Sequence, residues 1–396
     1  MIKLSQQFSQ ISESQTVALS GMMAELKRDG VDVVALGAGE PDFDTPDSIK
    51  EAAITAIHKG YTKYTPADGI FELKQAITEW LADEYGAEYD PSQIVITCGA
   101  KHAVYQAIAA VCNPDDQVLL PAPYWVSYPE QIKLAGAHPV ILPAKQEQGF
   151  KVTPEQLENA LNDRIKLIIL NNPSNPTGAV YSETELNSLV DVLASKSVFV
   201  LADEIYDKIV FKSNFVSLLK FSSIRERLLL INGVSKSFAM TGWRIGFLAA
   251  DKSIIAGIRK FQGHTTSNPA SVSQYAALQA YRGDKTFISK MVAEFAKRRE
   301  YLYDRLMNIA GIECVPPQGA FYFFPDVSVF FGKKGNGQPI KNSLQLCQYL
   351  LQEHKVGAVP GSAFGMDTHV RLSFATSMEI LEKAMDRIEE GLNALQ

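Results

Sequence analysis

The sequence predicts an α/β protein, with a large domain on a doubly wound, mostly parallel sheet and a smaller α+β domain built from both chain ends. Three observations predict it. Short runs rich in Val, Ile and Leu recur between residues 93 and 249. Helical stretches separate those runs. In the last hundred residues the pattern changes to charged helices with isolated short strands. Strands covered on both faces of a parallel sheet read as continuous apolar runs. Strand–helix alternation in turn implies right-handed crossovers.

The elements follow in order. Residues 93–98 (QIVITC) read as a buried strand, and a helix then opens at Gly99 and ends before Asn113-Pro114. Further strands are expected at 117–121, 139–142, 166–171, 198–203, 228–232 and 245–249, with a helix over 182–195 among them. A long charged helix is expected at 284–309, followed by a helix at 341–354, a short strand at VGAVPG, a strand at 370–375 and a final amphipathic helix at 377–395. With 396 residues the chain exceeds the ~250–300 at which one core stops growing. Residues 1–45 are expected as an N-terminal arm and part of the small domain, 46–290 as the large domain, and 291–396 as the rest of the small domain.

Composition sets limits. At 46% hydrophobic and 21% charged, the chain can bury a sizeable core, so disorder is not expected. A net charge of −6 argues against a nucleic-acid partner, which needs a basic surface. No uncharged apolar run reaches the ~18 residues of a membrane span, and the N-terminal MIKLSQQFSQ has no signal-like apolar segment. Cys98, Cys112, Cys314 and Cys347 form no CxxC pair and no metal-spaced cluster, so reduced thiols, no metal and a cytoplasmic location are expected.

Several polar segments fall just beyond strand ends, where open α/β sheets hold ligands. Lys236, in GVSKSFAMTGWRIG, follows the strand LLLIN. A lysine there is either an ordinary loop residue or an amine that forms an imine, given burial or a nearby cation such as Arg244 to destabilise its charge. Asp203, in DEIY, ends the strand VFVLAD and suits a cap, a metal ligand or a charge partner. NNPSNPTG after KLIILN is rich in turn formers. Gly99-Ala100-Lys101 opens a helix, whose free N–H groups bind phosphate as readily as they take a cap. Trp125 reads equally as a core aromatic. Arg371, in HVRLSFA, puts a charge in mid-strand among apolar residues, where it is costly to bury unpaired.

Together these motifs resemble the class I pyridoxal-phosphate-dependent aminotransferases, in that family's order, from about residue 14 to 390. The resemblance implies that the large domain binds pyridoxal 5′-phosphate, with Lys236 as its Schiff-base lysine and the general base. It implies further that Asp203 pairs with the pyridine nitrogen, Tyr206 and Asn175 contact the phenolic oxygen, Trp125 stacks on the ring, and Arg244 binds the phosphate beside Gly99, Ala100 and Lys101. Where some relatives place a phosphate-binding serine, this chain has Gly233, so Ser235 is the expected substitute. Arg371, Asn175 and the backbone of Gly39 would hold the substrate carboxylate. Tyr64 would reach the phosphate of a neighbouring subunit, which implies a homodimer with shared active sites.

Specificity turns on the far end of the substrate. Segment 261–270 (FQGHTTSNPA) lacks the arginine with which one branch binds a distal carboxylate. A second branch, closer in LGAGEPDFDTP, KYTP, PYWVSYPE and NGVSKSFAMTGWRIG, uses a threonine and a lysine, matched here by Thr16 and Lys101. A point charge with a hydroxyl donor suits a carboxylate. The simpler alternatives are a helix N-cap for Thr16 and a solvated first-turn residue for Lys101. The resemblance therefore implies aspartate or glutamate with 2-oxo acids as substrates, and prephenate to arogenate as a further activity. An aromatic or alanine aminotransferase, or a lyase on the same fold, would use the same cofactor residues. A cofactor-sensing DNA-binding regulator is not expected, because only about a dozen residues precede the family-like region.

Overall fold

The computed structural model describes residues 5–11, 15–212 and 214–396, without the side chains of 6, 7, 15–18 and 20. Its centre is a seven-stranded sheet of β1 (Ile94–Thr97), β2 (Gln117–Ala122), β3 (His138–Pro143), β4 (Ile165–Asn171), β5 (Phe199–Asp203), β6 (Leu228–Gly233) and β7 (Gly246–Ala249). The spatial order is β1-β7-β6-β5-β4-β2-β3. Strands β2 to β6 pair in parallel, whereas β7 runs antiparallel to both β6 and β1.

Each central strand splits its side chains between two cores, because successive residues point to opposite faces. Ile168, Leu170, Val200, Ala202 and Leu230 enter one buried cluster, while Leu167, Ile169, Leu201, Leu229 and Ile231 enter another. Covering both faces requires the uninterrupted apolar runs that the sequence carries. The exception is β3, which lies at the sheet edge with His138, Ile141 and Pro143 exposed. Helix Ala100–Val111 opens at Gly99, whose φ of 82° is left-handed and suits glycine. Helix Glu183–Ala194 opens on a capping box between Ser182 and Glu185.

A further buried cluster joins Leu19, Val34 and Leu36 near the N-terminus to Met291, Phe295, Phe321, Leu372 and Leu381. It is enclosed by helices Thr286–Met307, Ser343–His354 and Met378–Asn393. Residues Val34–Ala35 pair in parallel with Val356–Gly357, tying the early chain to the C-terminal third. The single strand expected at VGAVPG is two short ones. Val356–Gly357 pairs with Val34–Ala35, while Val359–Pro360 pairs antiparallel with Val370–Ser373, which also pairs with Tyr322–Phe323. Two different partners divide the segment.

Candidate active site

The register of the sheet brings the polar motifs to one edge. Asn171 lies opposite Asp203 across β4 and β5, Gly233 opposite Gly246 across β6 and β7, and Thr97 opposite Gly246 across β1 and β7. The carboxyl ends of β1, β2, β4, β5 and β6 therefore converge with the start of β7.

Lys236 follows β6 in a tight loop. Its half-buried Nζ donates to the Gly39 carbonyl and lies 5.8 Å from the Tyr206 ring centre. Burial lowers its pKa to about 8; Arg371 and Arg244 push the same way, while Glu40 and Asp203 pull it up. A lowered pKa is what an amine needs to react as a nucleophile near neutral pH.

Asp203 ends β5 and is 4% exposed. Its Oδ2 accepts the Tyr128 hydroxyl at 2.7 Å, and its Oδ1 accepts the Ile205 N–H at 3.3 Å. Burial raises its carboxyl to about 6, against the pull of those donors and of Lys236. The adjacent Glu204 turns to the other side of the strand, where it accepts Ser217 Oγ at 2.6 Å and Leu218 N–H at 2.8 Å. It anchors that turn and takes no part in the site.

Three glycines let the helix start, β7 and Arg244 meet. An ideal Cβ on Gly246 would lie 2.4 Å from Ala100 N, and one on Gly99 would lie 2.4 Å from Arg244 Nη2. A Cβ on Gly233 would lie 2.7 Å from Gly246 Cα, so no serine fits there. Arg244 itself is exposed, has a left-handed φ of 58°, and donates to Thr241 O at 2.8 Å. The buried Ser235 makes no side-chain hydrogen bond with the described residues.

Arg371 is 6% exposed. Its Nη1 donates to Asn175 Oδ1 at 3.0 Å and its Nη2 to Gly37 O at 2.8 Å, while Nε has no partner among the described residues. The guanidinium lies 4.4 Å from the Tyr322 ring centre. Among the described residues no carboxylate pairs with it. Such a cation is costly unless a carboxylate arrives. Asn175 is in turn held by its N–H on Asn171 Oδ1, at 2.8 Å.

Lys101 is exposed, with Nζ 5.0 Å from the Trp125 ring centre. Burial of part of its stem and the charge of Arg244 lower its pKa. Thr16 falls within helix Gln15–Arg28, so it is not that helix's cap, but its side chain lies outside the description. Gly39 brings its carbonyl to Lys236, and a Cβ there would stand 3.3 Å from Tyr322 Oη. Tyr64 is 89% exposed and bonds to none of these residues.

Two contacts escaped the sequence reading. Tyr128 holds Asp203, and the buried Tyr322 meets Tyr206 hydroxyl to hydroxyl at 2.9 Å beneath Arg371. Tyr322 lies in the aromatic run AFYFFP, whereas Tyr128, in WVSYPE, carries no sequence signal of its contact.

One edge of the sheet thus brings together an amine of lowered pKa, a buried carboxylate, a helix N-terminus flanked by an arginine, and a guanidinium with no carboxylate partner among the described residues. The chain belongs to the class I and II aminotransferase family, whose model matches residues 31–388. It is 44% identical over 390 residues to the aspartate aminotransferase of Bacillus subtilis, covering 98% of each chain. It is also 44% identical over 393 residues to the aspartate/prephenate aminotransferase of Cereibacter sphaeroides, again covering 98% of each. The crystal structure of the Rhizobium meliloti aspartate aminotransferase superposes with a TM-score of 0.96 at 38% identity, over 100% of both chains.

Proposed function

We propose that the chain is a pyridoxal-phosphate-dependent transaminase that moves an amino group between aspartate or glutamate and 2-oxo acids, giving oxaloacetate and glutamate from aspartate and 2-oxoglutarate. Arg371 carries the reading, as a buried, preorganised guanidinium whose free N–H awaits a carboxylate beside Lys236. The proposal extends to prephenate, named for the Cereibacter relative.

The residues fit the cofactor. The cradle at Gly99, which a Cβ would fill, leaves the helix N–H groups and Arg244 for a phosphate. Trp125 offers a ring face, Asp203 a carboxylate and Tyr206 a hydroxyl, with Ser235 as a further donor. When bound, the cofactor supplies an aldehyde carbon for amines and a protonated ring that withdraws electrons from the substrate. Arg371, Asn175 and the Gly39 backbone orient the α-carboxylate. Lys236 Nζ would take the proton from the substrate Cα and hold it for return. Donor and acceptor use these residues in turn, so the kinetics are ping-pong. The proposal includes a cytoplasmic homodimer in which Tyr64 serves the partner's phosphate, and a division of the chain near residues 45 and 290.

The test is acceptor-dependent turnover, comparing aspartate with 2-oxoglutarate, glutamate or aspartate with prephenate, and alanine or phenylalanine as donors. Dicarboxylate donors are expected to win. Lys101→Ala should cut their advantage by about 10- to 100-fold, the worth of a charge-assisted bond. An alanine or aromatic preference, or an unchanged preference in Lys101→Ala, would remove the Thr16/Lys101 assignment and leave the cofactor site standing. Pyruvate released without an acceptor would indicate a lyase.

The lowered pKa of Lys236 predicts a pH dependence. Only the neutral amine attacks an aldehyde, and its fraction grows as pH rises through about 8. Recombination of apoprotein with pyridoxal phosphate should accelerate by up to ~tenfold per pH unit below that point and level off above it. A rate still climbing at the same slope well above that pH would place the amine's pKa near the ordinary lysine value.

A further inference from the structure

Among the described residues, one side chain donates a hydrogen bond to the buried Asp203 carboxylate, that of Tyr128. Of its donors, the Ile205 N–H is long at 3.3 Å, while the Tyr128 hydroxyl sits at 2.7 Å. Tyr128 is 1% exposed at the start of helix Tyr128–Leu134, and its ring stands edge-on to Trp125, with centres 5.2 Å apart and planes at 82°. It therefore touches two of the residues expected to face the cofactor ring. Burial and the Asp203 charge both raise the Tyr128 pKa well above its ordinary value, so the phenol remains a donor at any working pH. A donor fixed on a carboxylate favours its ionised form and restricts its rotation.

We propose that Tyr128 is a positioning residue for Asp203, its hydroxyl keeping the carboxylate charged and aimed at the cofactor's ring nitrogen while its ring buttresses Trp125. The proposal rests on the pairing of Asp203 with that nitrogen. Without the hydroxyl, Asp203 would take up a proton more readily. It would then hold a positive ring nitrogen less well, and the cofactor would withdraw electrons less effectively.

Tyr128→Phe tests this in the cofactor-loaded protein. It removes one oxygen and leaves the ring, its packing and the contact with Trp125. The visible absorbance of the bound cofactor is titrated against pH for wild type, Tyr128→Phe and Asp203→Asn, alongside cofactor stoichiometry and steady-state kinetics. With less positive charge on the ring, a proton would be easier to hold at the Lys236 nitrogen. In Tyr128→Phe, with cofactor stoichiometry retained, that transition is expected to move up by about one pH unit. The kcat should fall by about 10- to 100-fold with KM nearly unchanged. A shift in Asp203→Asn with none in Tyr128→Phe would overturn the role of Tyr128 and keep that of Asp203. No shift in either would overturn the Asp203 pairing, and the proposal with it.

Discussion

Lys236→Ala is expected to lower transamination by at least about 10^4-fold, the upper end of what one positioned acid–base group contributes. One amine serves twice here, as covalent anchor and as carrier of the substrate's proton. No neighbour replaces it. Asp203 is buried and engaged by Tyr128, Tyr206 is tied to Tyr322, and Arg371 and Arg244 do not give up protons at working pH. The remaining contacts survive the substitution, because Gly99, Arg244 and Asp203 are set by the sheet edge and not by the lysine side chain. The variant should therefore bind pyridoxal phosphate reversibly, without the covalent absorbance of wild type. Near-normal turnover in this variant would show that the base lies elsewhere.

The fold was legible where one physical cause dominated. Strands β2, β4, β5 and β6 were readable because both faces are covered, which leaves no room for polar alternation. The direction of β7 was not readable. GFLA has the same composition whichever way it runs, and its antiparallel pairing follows from the short loop holding Lys236 and Arg244. At the site, Arg371 declared itself by the cost of a charge in mid-strand, and Gly99 by its place between strand and helix. Tyr128 and Tyr322 did not, since their partners Asp203 and Tyr206 lie 75 and 116 residues away in sequence. Residue type alone does not separate a hydroxyl that tunes a carboxylate from one that fills a core. Thr16 stays an expectation, because its side chain lies outside the described residues.

Arg371→Leu separates function from stability most clearly. Truncating one partner of a buried, hydrogen-bonded charge pair costs about 2–5 kcal/mol, or roughly 30- to 4,000-fold in an equilibrium or rate ratio. The pair in question forms only when substrate is present, so this cost should fall on kcat/KM for every amino-acid donor, dicarboxylate or not. The free protein stands differently. Its guanidinium is buried with neutral carbonyl acceptors and one unsatisfied N–H, and burial already lowers its pKa. Leucine removes the cost of burying a cation without a counter-ion, and this relief offsets the two lost hydrogen bonds and the space the guanidinium filled. The thermal midpoint of the apoprotein should hold or rise, with cofactor absorbance intact, while kcat/KM collapses. A large fall in the midpoint would mean that Arg371 holds the small sheet together through Gly37 and Asn175. A kcat/KM within a few-fold of wild type would mean that the α-carboxylate is bound elsewhere. A collapse of kcat/KM without a fall in the midpoint would mark the cation as kept for binding and not for the fold.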